Sequence, residues 1–417
     1  MAALTRNLAW YPWLSVGRSA VFWLPVFVLY FSRHLEPAEV LLLEAVYYGG
    51  VVVFEVPSGY ASDRWGRRPT LLVGTLAWAL GSGVLALAGT VGGGVALFAA
   101  GQLLLAIGLA FQSGTDSALL YDSLDALDRT DELAEREARA QAAGFVALAL
   151  AAGVGGLVGM IDLRLGHALT AVAGLVGVVA VLRMVEPPGD GRAEPPLAQA
   201  SAVLGGFRRA PLRWAFAHAV ALTALVHVPY ELLQPWLDAL LVRVDLAQAT
   251  PPIAGAVVAI TMGLAAWAGP RGVGWARRLG PSGLMLVAWA LMAVVLGAMA
   301  AGPAWWAVPL VALRSVPMAL ASPTLAAVVH PELPRGLRAT WLSVQSLAGR
   351  LAFAAVLTVT AALVANETGW TAPLIRQIVI PCTVAAMLVG LVLWAVAPAA
   401  ARARSSAGGP GATGGLG

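Results

Sequence analysis

The sequence is poor in lysine, cysteine and charge. Its 417 residues contain one cysteine and only 12% charged side chains, and every basic residue other than histidine is arginine. The single Cys382 excludes a disulfide framework and a thiolate metal cluster. A chain without lysine has no phosphate-binding loop of the G-x-x-x-x-G-K-[ST] type, which excludes an ATP-driven pump. Soluble domains carry about 25% charged residues. The 12% found here therefore also excludes a soluble globular protein.

Apolar residues are abundant instead, at 59% of the chain with a mean hydropathy of +0.79. They fall into runs of about 20 residues, the length that crosses a bilayer as a helix, whereas barrel strands would be shorter and alternating. The first run follows Arg6 without a small-residue cleavage site, which predicts an uncleaved span. The chain is therefore predicted to be an all-α membrane protein. The twelve runs are 10–31, 39–58, 70–90, 95–120, 141–161, 167–185, 213–235, 252–270, 283–301, 304–329, 340–364 and 374–398.

The arginines are distributed unevenly between the two sides of the membrane. If the N-terminus is cytoplasmic, 19 arginines lie in cytoplasmic segments, 3 lie on the opposite side and 4 lie within spans. Positive charge collects on the cytoplasmic side of membrane proteins, so both termini are predicted to be cytoplasmic. The same rule accounts for the pI near 9.6, and no nucleic-acid partner is predicted.

The polar, proline-rich segment 187–211 divides the runs into two sets of six. Such composition is typical of a flexible linker, and paired halves are common in transporters. We therefore expect a six-helix bundle over 1–186, a linker over 187–211, a second six-helix bundle over 212–399 and a disordered tail over 400–417. The segment 270–280 is short, basic and glycine-rich like 59–68, which indicates a degenerate internal repeat.

The segment 59–68 is a highly charged turn between two apolar runs. It resembles the G-x-x-x-D-R-x-G-R-R signature between helices 2 and 3 of the major facilitator superfamily. That resemblance implies a major facilitator fold of two pseudo-symmetric six-helix bundles, alternating access and a monomer. It also implies that the motif is a latch, in which arginines bond carboxylates and helix carbonyls and glycines allow close approach. The matching residues are Gly59, Asp63, Arg64, Gly66, Arg67 and Arg68.

Charges within spans cost about 2.5–3.5 kcal/mol each and usually face a partner or a wet cavity. Helices 1, 4, 7 and 10 line the cavity in the superfamily that the motif resembles, and each of these runs carries one such charge here. Depth along the runs predicts an inner pair, Arg18 with Asp116, and an outer pair, Glu231 with Arg314. These four are candidates for proton coupling or for recognition of substrate charge. The alternative is that fixed pairs only neutralise buried charge.

Glu55, at the motif end of the second span, is a further coupling candidate. Its alternative role is to pair with the adjacent basic turn. Other polar and aromatic residues could contact a ligand, or could only pack and bond neighbouring helices. No cluster of histidine, cysteine and carboxylate has metal-ligand spacing, so no metal or cofactor is predicted. The cavity candidates are Trp23, Phe27, Gln112, His227, Tyr230 and Gln345.

The stretch 113–122 resembles a bacterial, drug-efflux-like subgroup of the superfamily. The sequence thus predicts a multi-pass transporter of the bacterial inner membrane that exports a small amphipathic organic molecule by proton antiport. The alternative is proton-coupled uptake of a polar metabolite, which a cavity dense in amides and charge would favour. A membrane enzyme or sensor would need a nucleophile–base pair, a metal site or a large soluble domain. The sequence shows none of these, so it predicts no enzyme.

Overall fold

A computed structural model describes residues 2–188 and 204–402. Within those two ranges all regular elements are helices, which confirms the predicted all-α class. Residues 189–203 of the predicted linker and 403–417 of the predicted tail lie outside the described residues. The domain boundaries therefore stay predictions.

The first half of the described chain consists of helices that cross back and forth between two faces. The face that carries residues 59–68 is called the motif side, and the opposite face, which carries residues 32–36 and 160–163, is called the far side. The helices are α1 (Ala2–Ser19), α2 (Phe27–Phe31), α3 (Pro37–Trp65), α4 (Arg67–Val91), α5 (Gly94–Gln112), α6 (Thr115–Asp125), α7 (Leu133–Gly159) and α8 (Arg164–Arg183).

The second half is built in the same way, with short 3-10 turns at several helix ends. Its helices are α9 (Ala210–Leu241), α10 (Thr250–Ala301), α11 (Val308–Val311), α12 (Val316–Val329), α13 (Arg335–Leu363), α14 (Ala372–Ala395) and α15 (Ala399–Arg402).

Ten helical stretches of the described chain are long and apolar enough to cross a membrane. One of them, Ala247–Ala301, has 55 residues, and at 1.5 Å per residue it supplies two crossings of a roughly 30 Å hydrocarbon layer. The first predicted span is missing from the ten because α1 and α2 are separate. With these two adjustments the described helices match the twelve predicted crossings.

Three predicted spans are broken rather than continuous. The first run is interrupted at 20–26, the fourth at Ser113–Gly114 and the tenth at 312–315. Each break has a local cause. Proline lacks an N–H and disfavours helix before it, which applies to Pro25 and Pro317, while Gly114 has a φ of 73°, a conformation that favours glycine. Broken helices expose backbone groups that need partners inside the bundle.

Two turns on the motif side share one backbone conformation. Gly66 joins α3 to α4 with φ 102° and ψ 165°, and Gly280 bends α10 with φ 74° and ψ 158°. Side chains are unfavourable at such angles. A Cβ on Gly66 would also lie 2.5 Å from Glu186 Oε1. The two turns occupy corresponding positions in the two halves, which supports the predicted internal repeat.

The two halves meet along α3 with α13 and along α7 with α10. Glycines in α7 allow the closest approaches. A Cβ on Gly155 would lie 1.9 Å from the carbonyl oxygen of Phe22, and one on Gly156 would lie 2.7 Å from that of Pro251. Small residues allow close helix packing in lipid, and here they bring the first-span break and α10 against the same helix.

Candidate functional site

Polar contacts join the two halves on the far side. Gln234, in α9, accepts hydrogen bonds at Oε1 from the backbone N–H groups of Val28 (2.9 Å) and Leu29 (3.2 Å), and its Nε2 donates to the carbonyl of Leu24 at 3.0 Å. Trp370 Nε1 donates to Ser32 Oγ at 2.8 Å. Gln234 thus supplies partners to backbone groups around the broken first span, and the far-side ends of the halves are held together.

A cavity of about 210 Å³ lies between the halves. The first half contributes the first-span break, α2, α3, α5 and α8, and the second half contributes α9 and α13. Its wall mixes aromatic rings with ionisable and amide groups. The lining residues are Trp23, Phe27, Phe31, Glu44, Tyr47, Tyr48, Gln102, Leu105, Leu109, His167, His227, Tyr230 and Arg350.

One buried glutamate, Glu44, lies in the cavity wall, and a second, Glu231, directly follows the wall residue Tyr230 in α9. Glu44 is 5% exposed and accepts a 2.7 Å hydrogen bond from Gln102 Nε2. Glu231 is 3% exposed, and neither of its oxygens has a well-formed hydrogen bond within the described chain. Glu44 and Tyr48 lie close enough to Glu231 to interact with its charge. Sequence reasoning missed Glu44, although it considered Glu55 in the same span. The cost of a charge in a span would have identified Glu44 as readily as Glu231.

The predicted outer pair of Glu231 with Arg314 is wrong. Arg314 is 2% exposed and donates from Nη1 to Thr261 Oγ1 at 2.6 Å. No ion pair of Arg314 with a carboxylate is found among the described residues. The reason is the break at 312–315, where Arg314 lies outside a regular helix and contacts α10.

Arg18 and Asp116 do lie together, at 2.8 Å between Nη1 and Oδ2. Asp116 is in the first turn of α6, where its Oδ1 also accepts from the N–H of Ser117 at 2.9 Å. Its side chain is 10% exposed and that of Arg18 is 30% exposed. The carboxylate is thus fully partnered, which fits the fixed-pair alternative.

Glu55 contacts one residue of each half, and neither belongs to the basic turn beside it. Ser113 Oγ donates to Glu55 Oε1 at 3.2 Å, and Arg350 Nη1 lies 3.6 Å from Oε2. The interpretation of Glu55 as a partner of the adjacent turn is therefore wrong. Arg350 also lines the cavity and was missed as a site residue, although its position within a span was visible in the sequence.

Four predicted cavity residues lie in the cavity wall, and their rings contact one another. Trp23 and Phe27 have centroids 5.5 Å apart in an edge arrangement, and Phe27 stacks on Tyr230 at 5.5 Å. His227 shares a 2.7 Å hydrogen bond between Nδ1 and the carbonyl of Thr223. Sequence reasoning missed four further aromatic or imidazole rings in the wall. They are Phe31, Tyr47, Tyr48 and His167.

The two predicted cavity amides lie elsewhere. Gln112 is buried and donates to the carbonyl of Gly108 in its own helix at 2.9 Å, and its Cγ lies 2.9 Å from where a Cβ of Gly74 would be. Gln112 therefore packs α5 on α4. Gln345 is half-buried in α13 outside the cavity wall. Helix rotation decides which face a residue occupies, and the uniformly apolar runs around these residues gave no clear signal of it.

The motif forms an ion-pair cluster centred on Arg67. Arg67 Nη1 donates to Asp63 Oδ1 at 2.7 Å and to Ser62 Oγ at 2.8 Å, and Nε donates to Asp122 Oδ2 at 3.1 Å. The carboxylate of Glu186 accepts from the backbone N–H groups of Arg67 (2.6 Å) and Arg68 (2.7 Å) at the start of α4. A negative charge is favourable at a helix N-terminus. These contacts of Arg67 all stay within the first half.

The other motif residues differ in what they contact. Arg68 donates from Nε to the carbonyl of Val181 at 3.1 Å, so it holds the end of α8. Arg64 is exposed, with a 3.4 Å contact to the hydroxyl of Tyr60, and does not join the cluster. A Cβ on Gly59 would meet nothing within 4 Å, so the close approach predicted for Gly59 is wrong and only Gly66 requires glycine.

Comparison with known proteins identifies the family and the fold. The family model of the Major Facilitator Superfamily matches residues 14–356. The chain is also similar to the crystal structure of the nucleoside transporter NupG (TM-score 0.75, 13% identity, covering 95% of this chain and 99% of that one). It is similar to a D-xylose-proton symporter as well (TM-score 0.70, 15% identity, covering 95% and 98%).

A third similar structure is a bacterial homologue of the human lysosomal transporter Spinster in an inward-facing, unoccupied conformation (TM-score 0.64, 17% identity, 95% of each chain). No curated protein sequence matches this chain. At these identities the solved structures show the fold alone, while the family model covers most of the chain. The protein belongs to the Major Facilitator Superfamily, and it is a multi-pass membrane transporter.

Proposed function

We propose that this transporter is a proton-coupled exporter of small amphipathic organic cations, of the drug-efflux-like kind that residues 113–122 resemble. It would work in the bacterial inner membrane with both termini in the cytoplasm, as the arginine distribution predicts. The observation that carries the proposal is the pair of buried glutamates, Glu44 and Glu231, beside a largely aromatic cavity.

The two glutamates need a source of positive charge. An ionised carboxylate away from water is costly unless it is paired, and Glu44 has only an amide partner while Glu231 has no well-formed one. Either a proton or a cationic group of a substrate would neutralise this region. Because both would compete for the same carboxylates, entry of one favours release of the other. Such competition on one site is the physical basis of exchange, and hence of export against inward proton flow.

The cavity walls favour a substrate with both apolar and cationic parts. Eight of the thirteen lining residues are aromatic or aliphatic, and five are polar or charged. Tyr47 and Tyr48 lie in the same wall as Glu44, and the centroids of their two rings are 5.1 Å apart in an edge arrangement. Aromatic faces attract cations, most strongly where water is excluded. A volume of about 210 Å³ fits a small molecule in this state.

The contacts of the halves are consistent with an alternating-access cycle. Gln234 and Trp370 join the far-side ends in this state, so substrate would exchange with the motif side. Opening of the far side would require Gln234 to release its three hydrogen bonds to the first span. The Arg67 cluster lies within the first half here, and we propose that the motif engages the second half when the motif side closes.

Uptake of a polar solute with protons is the second candidate. The polar share of the wall favours it, since Glu44, Gln102 and Arg350 provide hydrogen-bonding groups that a polar solute could use. A solute of this kind would need sites for itself and the proton together. The two candidates therefore differ in whether the protons and the solute move in opposite directions or in the same one.

The test is transport into proteoliposomes with an acidic lumen. Phenyltrimethylammonium is a suitable probe because its permanent charge prevents passive trapping by the pH gradient. Wild type should accumulate it as protons leave, and Glu44→Gln and Glu231→Gln should not. Glu135→Gln removes an exposed glutamate of the motif side and should transport like wild type. With the gradient reversed, so that the exterior is acidic, inward movement of uridine or D-xylose with protons, together with no exchange of the cation under the first gradient, would replace export by uptake.

A further inference from the structure

Three ring nitrogens at one end of the cavity have no hydrogen-bond partner among the residues that the structure describes. They are Nε1 of Trp23 and both Nδ1 and Nε2 of His167, and each atom is buried. His167 is 1% exposed, and both residues line the cavity. Nearly all buried polar groups in folded proteins are hydrogen-bonded, so each exception needs an explanation. A group of three in one cavity wall indicates a ligand that supplies the partners.

The same two side chains belong to a group of aromatic rings at this end of the cavity, here called the seat. The rings of Trp23 and His167 stack with an interplanar angle of 14° and centroids 5.7 Å apart. Phe31 stacks on His167 at 5.8 Å, and Tyr30 lies 5.0 Å from it. The hydroxyl of Tyr30 is already used, since it donates to the carbonyl of Leu85 at 2.5 Å. Among these four side chains, the polar atoms without a partner in the described chain are therefore the ring nitrogens of Trp23 and His167.

The chemistry of these atoms specifies the ligand. An indole N–H only donates, while a neutral imidazole has one donor and one acceptor nitrogen. A planar ring that carries a hydrogen-bond acceptor, such as a ring nitrogen with one in-plane lone pair, accepts one hydrogen bond, which the indole N–H and the imidazole N–H can share, while the ring stacks on aromatic neighbours. A plain hydrocarbon ring would fill the same space and leave all three nitrogens without partners.

We infer that the transported cation carries a nitrogen-containing heteroaromatic ring, which Trp23 and His167 recognise by hydrogen bonding while its cationic end lies at Glu44 and Glu231. This inference rests on the proposed function, and it names the substrate class. Glu44 supplies charge attraction that any amine shares. Trp23 and His167 are specificity-determining residues, because they separate heteroaromatic from hydrocarbon rings of the same size.

The test compares the binding of two matched amines by calorimetry in detergent, without a membrane or a gradient. 2-(2-Pyridyl)ethylamine and 2-phenylethylamine differ mainly in one ring nitrogen. Wild type should bind the pyridyl compound about threefold to tenfold more tightly, the effect of one net hydrogen bond. His167→Phe keeps a ring at the seat without nitrogens, and Trp23→Phe removes the indole N–H. Each should reduce the preference to about twofold or less while binding of phenylethylamine changes little.

His218→Phe is the matched control. His218 is as buried as His167, but it lies in the second half, where Trp289 Nε1 donates to its Nδ1 at 2.9 Å. The preference should persist in this variant. Equal binding of the two amines by wild type, or a preference that survives both cavity substitutions, would overturn the inference, as would binding of neither amine.

The outcomes separate this inference from the proposed function. If the preference is found but a proton gradient drives no cation transport, the heteroaromatic seat stands and proton-coupled export fails. If phenyltrimethylammonium is exchanged for protons but wild type shows no preference, export stands and the seat fails. Either substitution alone suffices for the test if the other variant does not fold.

Discussion

Both the motif cluster around Arg67 and the central cavity region contain carboxylates, but within the described chain only those of the cluster have charged or backbone partners. In the cluster, Arg67 lies between two carboxylates, and Glu186 accepts two backbone N–H groups. In the cavity region, Glu44 has only an amide partner, and neighbouring Glu231 has no well-formed hydrogen bond in the described chain. Satisfied charges hold a structure together, whereas buried charges without partners are costly and are typical of functional sites. The partners of a charged residue therefore say more about function than its burial does.

The largest expected effect is that of Glu231→Gln on transport. The amide keeps the shape but cannot carry a proton or attract a cation as strongly. We expect proton-driven exchange of phenyltrimethylammonium to fall by about 100-fold or more, in line with loss of an essential group. The melting temperature in detergent should stay equal or rise, because an unpaired buried carboxylate is removed. If Glu231→Gln kept more than half of the wild-type exchange rate, the unpartnered glutamate would not be essential for transport, and the contrast between a functional cavity and a structural cluster would fail.

Arg67→Ala should have the next largest effect. It removes the donor to Ser62, Asp63 and Asp122, so the turn between α3 and α4 loses its fixed geometry. We expect about a tenfold lower exchange rate, the effect of roughly 1.4 kcal/mol on the transition between states, together with a lower melting temperature. A double-mutant cycle with Asp122→Asn should give a coupling of about 1 kcal/mol or less, since both side chains are about a quarter exposed. An unchanged exchange rate in Arg67→Ala would show that the cluster is not part of the cycle.

The Arg18–Asp116 pair should behave like the cluster rather than like the cavity. Removing one partner leaves a buried charge, which costs 3–5 kcal/mol in fully buried pairs, and about 1–3 kcal/mol is expected here because Arg18 is 30% exposed. The double variant Arg18→Met with Asp116→Leu should regain most of that stability. It should keep exchange within about threefold of wild type. Restored stability with abolished exchange would instead assign Asp116 to coupling.

The smallest expected effect concerns pH and a far-side loop. The hydrogen bond from Arg164 holds the pKa of Asp162 below its ordinary value. A carboxyl with a lowered folded-state pKa adds stability above its unfolded pKa of about 3.9, and loses it as pH falls through the folded value. Asp162→Asn should therefore melt slightly below wild type at pH 7, with the difference shrinking as the pH falls below about 3.9. Melting curves across that range would test this, and a difference that grows in acid would contradict the assigned sign.

Much of the site could be predicted because burial of charge in lipid is costly wherever it occurs. That rule identified Glu231, Asp116 and Arg18 from the sequence. Glu44 and Arg350 also lie within predicted spans and were missed, although Glu55 and Gln345 in the same two spans were considered. His167 and Tyr48 carry no charge that the sequence pattern marks, so their place in the wall depends on how α8 and α3 rotate against their neighbours.

Local chemistry along the chain was enough to predict the all-α class and the number of crossings, because a run of apolar residues in lipid has to satisfy its own backbone by forming a helix. It was also enough to predict the turn at Gly66. Contacts between residues far apart in the sequence could not be predicted in this way. Arg314 could pair with Glu231 by depth alone, yet the break at 312–315 brings it to Thr261. Gln234 gains its role only because α9 lies against the broken first span. Depth follows from position along one helix, but the choice of partner follows from the packing of twelve crossings, which no single segment specifies.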